Sequence, residues 1–117
     1  MDAQQVNFAV AEESVGTVSV VSVTGAIDML TAPQLSEAIR AALAKQPSAV
    51  VLNLTDVDFL ASAGMQVLVA ANEEAGGRRL VVAAEGPATS RPLKITGITD
   101  FIDVYPTLDE ALENVTV

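Results

Sequence analysis

Three short runs rich in β-branched and apolar residues constrain this chain more than any other feature. They are "GTVSVVSVTG", "SAVVLNL" and "RRLVVAA", and stretches with helical spacing separate them. A strand that is apolar at successive residues must be covered on both faces. Strands alternating with helices then give an α/β layered domain with parallel strand pairs in the middle. The first run lies between Gly16 and Gly25 and contains Val18, Val20, Val21 and Val23. Between the first and second runs, Leu35, Ala38, Ile39, Ala42 and Leu43 repeat as one helix face. Thr31 is the expected N-cap of that helix, with Pro33 in its first turn and Gln34 at the capping-box position, and Pro47 ends it.

"TDVDFLA" reads as a connection leaving the second run. A second helix is expected from Ser62 to about Ala75, with Met65, Leu68 and Val69 buried and Gly76–Gly77 as its stop. The third run is another strand. "EGPATSRPLKITG" predicts a loop and a short helix centred on Leu93 and Ile95, and "FIDVY" a short strand. "TLDEALENV" predicts a closing helix with Thr107 as N-cap and Glu110 at N3. A further strand is expected in "QVNFAVAE", pairing with the first run at the sheet edge. The 117 residues read as one domain, 1–117, long enough to bury a core without disulfides or metals.

Composition excludes several classes of function. Fifteen acidic and six basic residues give a net charge of −9. That opposes binding to nucleic acid or anionic lipid and favours a basic partner surface. The chain has no cysteine and no histidine, so thiolate chemistry, Cys-ligated metals and the commonest general base are absent. The N-terminus lacks the pattern of a signal peptide, and no apolar run approaches the roughly 20 residues of a membrane span. A cytoplasmic, monomeric protein is expected.

Motifs for catalysis are equally scarce. No phosphate-binding or dinucleotide glycine pattern is present, and "SAG" at 62–64 is not a nucleophile elbow. Asp56 and Asp58 are expected on a loop after a strand, where two carboxylates without a third ligand make a weak magnesium site. Arg78 and Arg79 read as a solvated start to a strand. No cofactor, metal or catalytic residue is expected. Ser62 stands out because it opens an apolar helix. Locally it reads as an N-cap, accepting from backbone N–H groups. A helix N-terminus also accommodates phosphate, so the same serine could be cap when free and anchor when modified.

Taken in order, these segments resemble the STAS domains, and among them the bacterial anti-sigma-factor antagonists of the SpoIIAA type. The resemblance is carried by "VVSVTGAIDMLTAPQLSEAI", "AVVLNLTDVDFLASAGMQVLVAA", "RRLVVAA" and "RPLKITGITDFIDVYPTLDEAL". It implies a single STAS domain, with a mixed sheet of about five strands and about four helices packed mainly on one side. It also implies a non-enzyme that binds an anti-sigma factor and frees a sigma factor. In that family the anti-sigma factor is typically an ATP-using serine kinase, and a phosphatase reverses its action. The phosphoacceptor falls on Ser62 and the family's turn acid on Asp28. The implied partner-binding set is Asp28, Asp56, Asp58, Phe59, Ala61, Ser62 and Gly64. Ala61 stands where the family usually has Asp, and Ala63 where a second hydroxyl is common, leaving Ser62 as the single acceptor of the motif. Other roles of STAS domains are subunits of lipid-transport ATPases and stress-signalling scaffolds. Nucleotide binding is a more distant alternative.

Overall fold

A computed structural model describes residues 8–116. The elements are β1 (Phe8–Val15), β2 (Val18–Ile27), α1 (Ala32–Ala44), β3 (Ala49–Leu60), α2 (Ser62–Glu74), β4 (Arg79–Ala83), α3 (Ser90–Ile95), β5 (Asp103–Tyr105) and α4 (Leu108–Val115). A single 3-10 turn, Ile98–Asp100, precedes β5. The strands form one mixed sheet in the order β1-β2-β3-β4-β5. Only β1 runs antiparallel to its neighbour; the other pairs are parallel. The expected architecture is therefore present, with β1 at the edge. The part of "QVNFAVAE" before Phe8 lies outside the described residues.

Side-chain alternation on the strands sorts the core into two layers. Val21, Val23, Val50, Leu52 and Val82 face a layer made by Leu35, Ile39 and Ala42 of α1, Leu68 and Ala71 of α2, and Leu93 of α3. Val18, Val20, Ala49, Val51, Val81 and Ala83 face the other way, onto Ala111 of α4. Three helices cover one face and α4 covers part of the other. This is why the central strands are apolar at successive positions. In α2, Met65 and Val69 are only partly buried, while Gly64, Leu68 and Ala71 form its inner stripe. The spacing of larger side chains points to Met65 and Val69, but Gly64 presses against Ile27 and Leu60 and Ala71 is buried with Leu68.

Two expectations need correction here. First, "TDVDFL" is not a loop: β3 continues to Leu60. Its register against β2 shifts twice, between the Ser22 and Thr24 pairs and between the Gly25 and Ala26 pairs. Each shift adds one residue on β3, as a bulge does. Leu54, Val57 and Leu60 are three residues apart, yet all three reach the same core layer. A regular strand would have placed them on alternate faces. Second, Thr31 occupies the N-cap position of α1 but its side chain makes no cap hydrogen bond. Its hydroxyl is held by the preceding turn, described below. Thr107 does cap α4, accepting from the Glu110 N–H at 3.1 Å.

The start of α2 is pressed onto the ends of β2 and β3. A Cβ on Gly64 would lie 2.5 Å from Ile27 Cγ2 and 2.7 Å from Leu60 Cδ1. Ile27 is fully buried and cannot swing aside. Helix propensity alone would favour Gly64→Ala by about 1 kcal/mol. Overpacking costs about 1–3 kcal/mol and is expected to prevail. The variant should therefore unfold at lower urea concentration than the parent chain. A raised midpoint would show that the approach is looser than described.

Candidate functional site

The site is assembled at one end of the sheet, where β2 and β3 finish. Ala26 pairs with Phe59 and Ile27 with Leu60 in the final rungs of the β2–β3 ladder. The Ala61 N–H then donates to the Ile27 carbonyl at 2.9 Å, tying the start of α2 to the end of β2. Ala61, not Ser62, is the N-cap residue, with φ −87° and ψ 170°. Its carbonyl accepts from the Gly64 and Met65 N–H groups at 3.0 and 3.2 Å. With an alanine in that position the helix start has no side-chain cap.

Ser62 is consequently the first helical residue, which corrects its reading as a cap. It is exposed. Among the described residues its hydroxyl has no hydrogen-bond partner within the protein. The oxygen that the local pattern assigned to backbone N–H groups is left facing outward. The neighbouring Ala63 is only partly exposed and carries no polar atom on its side chain.

The seven expected partner-binding residues do not all face outward. Asp56, Asp58 and Phe59 are exposed on the bulged end of β3, with Phe59 at 54% of its full surface. Ala61 is half-buried beside them, and Ser62 follows. Gly64 is buried beneath this surface and acts by packing. Asp28 directs its carboxylate into its own turn. Its Oδ1 accepts from the Leu30 N–H at 2.9 Å and the Thr31 N–H at 3.0 Å. The Thr31 hydroxyl completes the turn. It accepts from the Asp28 N–H at 2.9 Å and sits 2.9 Å from the Ala26 carbonyl. A polar residue next to Ile27 is thus spent on shaping the chain.

That turn holds two residues that the sequence reading did not single out. Met29 and Leu30 are exposed at 76% and 81% of their full surface. The signal was present: two large apolar side chains lie between a turn-forming Asp and a Thr-Ala-Pro helix start, on neither periodicity. No three potential metal-ligating side chains come together among the described residues. A groove of about 460 Å³ runs elsewhere, between α3 and β5, lined by Ser90, Lys94, Asp103 and Tyr105 among others. Among the described residues, no helix is long and apolar enough to cross a membrane.

The STAS domain family matches residues 9–111, which takes in every strand and helix named above except the end of α4 and the first residue of β1. The chain belongs to the STAS family. Over 99 residues it is 38% identical to the anti-sigma-F factor antagonist RsfB of Mycobacterium tuberculosis, covering 84% of this chain and 81% of that one. The crystal structure of an anti-sigma factor antagonist from Mycobacterium paratuberculosis superposes with a TM-score of 0.91 at 45% identity, covering 94% and 95% of the two chains. SpoIIAA in its unphosphorylated form superposes at 0.77 with 19% identity, covering 92% of this chain and 96% of that one; this is a likeness of fold. The STAS frame puts the ends of β2 and β3 and the start of α2 on one surface here.

The Asp28 turn makes a pH prediction. Hydrogen bonding from Thr31, and then from Leu30, holds the Asp28 carboxyl below its ordinary value, against partial desolvation. A depressed pKa stabilises the fold above the unfolded value of about 3.9, and the contribution is lost as pH falls through the folded value. An NMR titration of the Asp28 side-chain carboxyl should give a midpoint below about 3.9. A midpoint at or above it would mean that the turn does not hold the carboxylate.

Proposed function

We propose that this chain is an anti-sigma-factor antagonist whose docking is switched off by phosphorylation of Ser62. Its partner in this reading is an anti-sigma factor with serine kinase activity, and a phosphatase restores the unmodified chain. Binding occupies the anti-sigma factor and so frees a sigma factor. The names borne by the STAS relatives from the two mycobacteria support the antagonist role. The observation that carries the switch is Ser62 itself: exposed, first in α2, with its hydroxyl free of capping duty.

Electrostatics explains how a phosphate there would act. It adds about −1.5 to −2 charges at the end of the sheet where Asp56 and Asp58 are exposed, on a chain already at −9. A partner packed closely around Ser62 would meet new bulk and would have to desolvate the added charge. The fold tolerates the same group well. The first N–H groups of α2 have no side-chain acceptor, and a helix N-terminus favours negative charge. The modification therefore changes the docking surface without unseating the helix, and no catalytic group on this chain takes part.

The test is to incubate the chain with its anti-sigma factor and ATP, map the product by mass spectrometry, and titrate each form by calorimetry. Phosphate should appear on Ser62, and Ser62→Glu should bind more than tenfold more weakly. Ser62→Ala should bind as the parent does and take no label. Label persisting in Ser62→Ala, or equal affinity for Ser62→Glu, would contradict the reading.

A further inference from the structure

We infer that Met29 and Leu30 form a two-residue apolar hook that selects the partner, seating in an apolar cleft rimmed by Lys and Arg. The inference rests on the docking role proposed above and adds its specificity element. Single exposed apolar side chains are ordinary, whereas grouped ones mark interaction sites. Here two adjacent residues are 76% and 81% exposed, and Phe59 follows at 54%.

All three belong to one end of the sheet. Phe59 pairs with Ala26 in the β2–β3 ladder. The Ile27 carbonyl holds the Ala61 N–H, one residue before Ser62. Met29 is only two residues beyond Ile27, so the chain cannot carry its Cα more than about 7 Å away. The hook is thus continuous with the surface that bears Ser62.

The turn beneath it is built to keep its shape. Asp28 Oδ1 accepts from the Leu30 and Thr31 N–H groups, the Thr31 hydroxyl accepts from the Asp28 N–H, and the Ala32 N–H donates to the Asp28 carbonyl at 2.8 Å. Two large apolar side chains are therefore presented on a short turn held by four hydrogen bonds. Preorganisation of this kind reduces the entropy lost on docking. Asp28 and Thr31 are positioning residues for the hook.

Charge identifies the occupant. Asp56 and Asp58 stand exposed beside Phe59, and the whole chain carries −9. A second copy would bring like charge against like, and an anionic lipid surface would be repelled in the same way. A protein cleft with an apolar floor and a basic rim satisfies both parts of the surface.

The test uses Leu30→Ser, the double variant Met29→Ser/Leu30→Ser, and Leu30→Met, each titrated against the anti-sigma factor by calorimetry. Urea unfolding should be unchanged in all three, because both side chains are already in solvent. The double variant should bind at least tenfold more weakly, Leu30→Ser should fall between, and Leu30→Met should stay within about twofold. Phosphorylation of Ser62 in the double variant should show a raised KM with unchanged kcat, since the hook docks without touching the reacting hydroxyl. Double-variant affinity within twofold of the parent, with Ser62→Glu still weakened, would overturn the hook and leave the phosphorylation reading standing. If neither variant changes binding, both fail. A dimer seen by light scattering and abolished by Leu30→Ser would also overturn it, because the cleft would then belong to a second copy.

Discussion

The contact on which this site depends is the approach of Gly64 to Ile27 and Leu60. No side chain can intervene there, so the first turn of α2 lies directly on the ends of two strands. The Ala61 N–H donating to the Ile27 carbonyl fixes the same junction from the backbone side. Packing and one backbone hydrogen bond do the work that a capping side chain does at Thr107. Because the helix is seated this way, Ser62 is released from a structural task. Its hydroxyl becomes available to another macromolecule.

The same junction brings together features far apart in the chain. Asp28 shapes the turn leaving β2, the bulged end of β3 presents Asp56, Asp58 and Phe59, and α2 begins with Ser62. None of these needs a cavity or a metal. The arrangement is an open, acidic surface with apolar points, suited to a protein partner. In the proposed switch, a group added at one exposed oxygen would alter what the surface can meet.

Much of the fold was legible because β2, the first half of β3 and β4 are buried on both faces and read as runs rich in Val, Leu and Ala. The bulged half of β3 was not. Leu54, Val57 and Leu60 repeat every three residues, which matches neither a regular strand nor a helix face. The two register shifts that restore them to one side come from pairing with β2, which is tertiary information. Ser62 was located correctly in the chain but misread by one helical position. A local pattern looks for an oxygen at the N-cap, and alanine at 61 gave it none, so the cap was assigned to the next hydroxyl. Thr31 was misread for a related reason: Asp28, three residues earlier, competes for its hydroxyl. Met29 and Leu30 lie on neither periodicity, which marks the pair as irregular in the sequence, but only the Asp28 turn shows that both side chains are exposed.

The Ser62 hydroxyl has no part in holding the protein together. Urea denaturation of Ser62→Ala measures this directly. An exposed hydroxyl without a partner should leave the unfolding free energy within about 0.5 kcal/mol of the parent. A loss of about 1 kcal/mol or more, the size of a missing N-cap, would show the oxygen bound to the helix start and contradict the account.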